Sequence, residues 1–128
     1  GQNYIAYCFA EKTGYSKFGL YTGNGDTNGT FVYTGFKPTW VMGKRKDSSN
    51  NWYVFDTVRD IHNLTQRKLR PDTNAAENNN SAKAIDILSN GFKIKNNDAE
   101  FNASNGTYIF MAFGQSLVGS NNIPVTAR

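Results

Sequence analysis

The sequence predicts an all-β domain, an antiparallel β-sandwich of the jelly-roll or concanavalin-like kind that carries one long polar loop. Composition is the first observation behind this. Twelve glycines, seven tyrosines and nine phenylalanines, with abundant asparagine and only two methionines, describe short aromatic strands joined by turns. The second is the shape of the apolar runs, which are four to eight residues long and end at Gly, Pro, Asn or Asp. The third is the absence of a helical stripe: the best helix candidate, NAAENNNSAKAID, contains three consecutive asparagines and makes no face at 3.6 spacing, so one short turn is the most it allows.

The elements follow in order. Tyr4 to Ala10 places Ile5, Tyr7 and Phe9 on one face and Tyr4, Ala6 and Cys8 on the other. Both faces are apolar, which predicts a central strand. Glycines 14, 19 and 23 bracket a short strand near Ser16 to Tyr21, and FVYTGF at 31–36 is the next. Pro38 interrupts it before TWVMGKRK at 39–46, and DSSNN makes a tight connection into WYVFDT at 52–57. From Val58 to about residue 83 the pattern dissolves into a polar loop, and a loop that long inside a small domain is functional or mobile. AIDILSNGFKIK then reads as a hairpin turning across Ser89, Asn90 and Gly91, and Thr107 to Gly114 is the last strand. A length of 128 residues suits one domain, here 12–116, followed by an extended arm at 117–128 in which Ile123, Pro124 and Val125 suit a neighbour's surface.

YIAYCFAE at 4–11 returns as YIFMAFGQ at 108–115, 104 positions later. Two readings follow. The runs are adjacent central strands of one sheet, or residues 1–11 are the last strand of a preceding unit in a tandem array.

Chemistry is sparse. Fourteen basic against ten acidic residues give a net charge of +4, and the clusters at 44–46 and around Arg67, Lys68 and Arg70 are of a size that decorates a solvated rim, so no nucleic-acid partner is expected. The single cysteine, Cys8, is expected to pack as a small hydrophobe, since the only histidine, His62, is remote in sequence. No apolar run approaches 20 residues and no leader precedes the first strand, so neither membrane insertion nor a signal peptide is expected. A glycan hydrolase needs two carboxylates flanking a cleft, and Asp56 with Asp60 is the best pair the sequence offers; both also suit turn caps. No phosphate-cradling loop or nucleophile elbow is present, so no enzyme activity and no cofactor are expected. NGDTNGT at 24–30 presents Asn24, Asp26 and Asn28 at alternate positions, as a calcium loop begins, but its twelfth position is Gly35 and the same residues serve any β-turn.

Ligand binding is expected on the 58–83 loop. Arg59, Arg67 and Arg70 offer forked donors for carboxylate or phosphate groups, with Asp60, His62, Asn63 and Gln66 as shorter partners. Trp52 and Tyr53 adjoin the loop and offer an apolar face for a sugar ring, although alternation lets only one of them point outward. The competing reading is a loop that only covers surface or packs on the next subunit.

The ordered set YIAYCFAEKTGYSKFGLYTGNG, FVYTGFKPTWVMGKRKDSSNNWYVFD, ILSNGFKI and NGTYIFMAFGQ, ending in IPVTAR, resembles a module of tail fibres and related virion proteins of tailed bacteriophages, marine ones above all. The resemblance covers nearly the whole chain and implies a structural or adhesive virion domain made in the bacterial cytoplasm. It implies a homotrimer that contacts other tail proteins and a host surface polysaccharide or protein. It carries over no catalytic or ligand residues, and it is thinnest over the long loop. A non-binding decoration domain and a glycan-cleaving enzyme are the alternatives.

Overall fold

Thr107–Gly114 alternates along its whole length between buried and half-buried residues, with Tyr108, Phe110, Ala112 and Gly114 inward. It takes an interior place because strands pair with it on both sides. The structure is a computed structural model that describes residues 1–115, and the arm expected at 117–128 lies outside the described residues. In chain order the strands are β1 Ser16–Thr22, β2 Phe31–Tyr33, β3 Pro38–Arg45, β4 Tyr53–Asp56, β5 Arg67–Lys68, β6 Asn78–Asn79, β7 Ile85–Leu88, β8 Gly91–Ile94 and β9 Thr107–Gly114. A 3-10 turn at Ser81–Lys83 is the one helical piece among the described residues, as the broken NAAENNNSAKAID pattern predicts.

Two antiparallel sheets make the sandwich, one ordered β1-β9-β3-β4 and one ordered β2-β8-β7, with β5 and β6 as a separate small ladder. The sheets share one core. The first contributes Tyr21, Val41, Tyr53, Phe55, Tyr108, Phe110 and Ala112, the second Val32, Ile85, Ile87, Phe92 and Ile94, and Phe36 and Phe101 enter from connections. Tyr21 stacks on Tyr108 at 4.8 Å between centroids, and its hydroxyl shares a 2.8 Å hydrogen bond with that of Tyr53 and donates to the Phe101 carbonyl. Burial pushes the Tyr21 and Tyr53 hydroxyls up, so both stay protonated and available as donors.

Residues 4–10 correct the sequence reading. The last run fills the central place between β1 and β3, while the first forms no strand and leaves Tyr4, Ile5 and Tyr7 each more than 80% exposed. Cys8 is exposed with it, not packed in the core as a small hydrophobe would be. The two runs are therefore not neighbours in one sheet: β9 lies between β1 and β3, and residues 4–10 pair with no strand.

The hairpin turn also shifts by a residue. Leu88 pairs with Gly91, so Ser89 and Asn90 form the turn and Gly91 belongs to β8. Its glycine is required sideways, since a Cβ there would run into the Val32 carbonyl of β2. Gly43 on β3 is constrained in the same way by the Tyr53 hydroxyl and ring. Gly43→Ala is expected to displace Tyr53 and destabilise the fold by about 1–3 kcal/mol, the usual consequence of overpacking. Urea unfolding followed by tyrosine fluorescence checks it, with a lower midpoint at unchanged slope.

Candidate functional site

The long loop begins where Asp56 ends β4. The Asp56 carboxylate accepts hydrogen bonds from the Val58 and Arg59 amides at 3.0 and 2.9 Å and pairs with the Arg59 guanidinium. Burial pushes the Asp56 carboxyl up, but the hydrogen bonds from Arg59 outweigh it and hold the group below its ordinary range. Arg59 also donates to Glu77 at 2.9 Å and so ties the start of the loop to its far limb. Asp60 then turns the chain by accepting from the Gln66 and Arg67 amides at 2.7 and 2.6 Å. The best sequence pair for a hydrolase is thus made of two turn-forming carboxylates.

From Asn63 onward the loop closes the side of the sandwich. The Asn63 side chain exchanges two 2.9 Å hydrogen bonds with the Ile87 backbone, and Thr65 pairs with Ile85, so the free edge of β7 is covered. Four residues later Leu69 pairs with Val54 and covers the free edge of β4. One segment thereby caps an edge of each sheet, which removes two templates for unwanted strand pairing.

Between these two attachments Lys68 points inward. It is 1% exposed, donates to Glu100 at 2.6 Å and lies 4.7 Å above the Phe101 ring. Arg70 donates two further bonds to the same carboxylate, at 3.0 and 2.9 Å. Burial pushes the Glu100 carboxyl up, and the hydrogen bonds from Arg70 and Lys68 more than reverse it, so the net shift is downward. The Lys68 ammonium is lowered by burial, with Glu100 only partly opposing. This ion pair is the part of the region that sequence reasoning missed. The sequence LTQRKLRP has no periodicity that marks Lys68 as buried, so it reads as part of a solvated basic cluster.

The expected ligand residues therefore divide. Arg59 pairs with Asp56 and Glu77, Arg70 pairs with Glu100, and Tyr53 is fully buried in the core. Trp52 is the outward, half-buried member of its pair, and its amide donates to Asp72, which also receives Asn51. Asp60, His62 and Asn63 line one open cleft of about 60 Å³ with Lys37, Thr57, Ile61, Thr65 and Ile87. Gln66 is half-buried beside it in sequence. Arg67 remains 46% exposed with a loose 3.6 Å approach to Asp60, and Val58 and Ile61 are 84% and 75% exposed. The cleft is far smaller than the several hundred Å³ that enclose a small-molecule ligand. It suits a single substituent of a larger molecule lying across the surface.

The NGDTNGT turn is organised by protein groups. Asn24 accepts from the Asp26 amide and from the Asn102 side-chain nitrogen, Asp26 accepts from the Asn28 amide, and Asn102 donates further to the Asp26 and Asn96 carbonyls. Asn102, fully buried, sits where a cation would be sought. Among the described residues no three His, Cys, Asp or Glu side chains gather into a metal-ligating group. Millimolar calcium is expected to leave the melting temperature unmoved. Asn102→Ala is expected to lower stability by about 1–3 kcal/mol through the unsatisfied groups it leaves, a drop of several degrees by calorimetry.

Glu100→Ala strands the buried Lys68 charge and is expected to destabilise by about 3–5 kcal/mol, and adding Lys68→Met is expected to recover most of that. Because the folded Glu100 pKa is depressed, its contribution is complete above the ordinary carboxylate range and is lost as pH falls through the lower folded value. Urea titrations between pH 7 and pH 2 check both points, with a smaller acid loss in Glu100→Gln than in the parent.

Residues 1–116 match the family described as Domain of unknown function (DUF7483). No curated protein and no solved structure matches the chain.

Proposed function

We propose that this chain, which belongs to the DUF7483 family, is a virion adhesion domain, of a tail fibre or a related particle protein, that helps recognise a glycan or other polymer on the host cell surface. The observation that carries the reading is a recognition-type loop held rigid by the scaffold: residues 63–69 are fastened to both sheets, yet His62 and Arg67 stay exposed beside a small polar cleft. Binding groups on loops positioned by a rigid framework lose little entropy on engagement. Arg67 supplies a forked donor for carboxylate or phosphate substituents, and Val58 and Ile61 supply apolar contact. The resemblance to phage tail-fibre modules supports the same reading. Binding without catalysis fits the use of Asp56 and Asp60 as turn-forming acceptors.

A structural or decoration role is the second reading, and one observation favours it. The outer face of the four-stranded sheet carries apolar rows, Leu20–Ile109 and Phe18–Met111–Met42 and Phe113–Trp40, with Leu20 59% exposed. A homotrimer seated on that face leaves the loop free.

The paired substitution His62→Ala with Arg67→Ala, placed in the complete virion protein, is expected to reduce adsorption to host cells at least tenfold while the melting temperature and particle assembly stay unchanged. Adsorption at the parental rate overturns the adhesion role of this loop.

A further inference from the structure

Residues 4–11 and 108–115 match position by position in a way that the place of β9 explains. Tyr4 corresponds to Tyr108, whose buried hydroxyl accepts from the Ala103 amide and donates to the Ala99 carbonyl. Cys8 corresponds to Ala112, which is 0% exposed and admits only a small side chain. Ile5, Tyr7 and Phe9 correspond to the outward Ile109, Met111 and Phe113. A strand that is apolar on both faces suits an interior place in a sheet, which β9 has here between β1 and β3. In this chain residues 4–8 are neither paired nor covered.

The junction is nevertheless fixed. Phe9 meets Phe18 and Phe113 at 6.3 and 5.7 Å between centroids, the Ala10 carbonyl accepts from the Ser16 hydroxyl, and Glu11 holds the Phe18 amide and the Lys17 ammonium. Before Phe9, Tyr4, Ile5 and Tyr7 stand in solvent at 84%, 83% and 82%. Burying side chains of this size is worth about 1.5–3 kcal/mol each. The segment thus has the composition and alternation of an interior strand, an anchored end, and no sheet of its own.

We infer that residues 4–10 are the last, β9-like strand of a second sandwich of the same fold, placed before this one, so that consecutive units join without a linker and Phe9 seats each unit on the outer sheet face of the next. The partner is specified by pairing: an unfilled interior position flanked by strands equivalent to β1 and β3, with a large residue facing the inward Ala6, where this unit has Phe110. A second copy of the present unit cannot accept the strand, because its own β9 fills the position.

Cys8 reports the outcome, being the only thiol in the chain. A two-unit polypeptide is made by placing residues 12–107 directly before residues 4–128, so that residues 4–10 must serve as β9 of the added unit. It is made with Ala6 and with Ala6→Phe, the second filling the space that Phe110 occupies. Labelling of Cys8 by a maleimide is expected to run at the rate of the urea-unfolded chain in the 128-residue protein, at every protein concentration. In the Ala6→Phe two-unit polypeptide it is expected to slow at least 100-fold, with hydrogen-exchange protection of the same segment. Fast labelling in both two-unit forms overturns the inference. So does protection that grows with concentration in the 128-residue protein, which makes a second copy the partner.

Discussion

Three consecutive residues in the connection before β9, namely Glu100, Phe101 and Asn102, are buried together, and the rest of the molecule hangs on them. Their side chains serve three different regions. Glu100 receives Lys68 and Arg70 from the long loop, Phe101 packs against Tyr53 and Phe55 in the core, and Asn102 binds the 24–28 turn. A coil can hold such a sequence inward only if its own backbone groups are satisfied. Here Asp98 accepts from the Glu100 amide through its side chain and from the Phe101 and Asn102 amides through its carbonyl. The result resembles one turn of helix without a helix around it, fixed from below by the Asn96 side chain, which accepts from the Asp98 amide.

The arrangement explains why a polar loop of this length has defined structure. Each attachment taken alone is weak, since a single hydrogen bond contributes roughly 1 kcal/mol net. Residues 56–70 combine several of them with two strand-edge pairings and one desolvated ion pair, and the pairings are four residues apart on opposite sheets. Bending the loop away would free both edges and take Lys68 and Arg70 from the buried Glu100 carboxylate, leaving only Lys83 at 4.0 Å. The loop is therefore coupled to the core, and the groups it displays keep a fixed spacing.

Strands written as local patterns were legible in the sequence. Ser16–Thr22, Pro38–Arg45 and Thr107–Gly114 lie within a residue or two of the expected limits, because their alternation and their glycine or proline boundaries are short-range signals. Tyr4 to Ala10 misled because its pattern is that of an interior strand, and a pattern states what a segment suits without stating whose sheet supplies it. The site was less legible. That Trp52 and Tyr53 point oppositely follows from alternation, but Arg59 and Arg70 look like free cations until the fold brings Glu77 and Glu100 to them, 18 and 30 residues away. Lys68 and Asn102 were invisible for the same reason: a buried polar residue is defined by partners distant in the chain, and composition carries no record of them.

The long loop and the N-terminal junction lie at opposite edges of one sheet. The loop covers the β4 edge through Leu69, whereas Phe9 sits on Phe18 of β1, the other edge, and on Phe113 of the central β9. Three inter-strand spacings separate β1 from β4, about 14 Å at ~4.8 Å each. Phe9 thus rests on the β1 side of the outer face, while His62 and Arg67 stay exposed on the loop that covers the β4 side. The separation depends on β9 being apolar on both faces: inward it carries the core that fixes Glu100 and the loop, and outward it carries Phe113, against which Phe9 rests. A polar outer face on that strand would preserve the loop and lose the ring contact that holds Phe9, so the two faces of β9 fix two separate parts of the molecule.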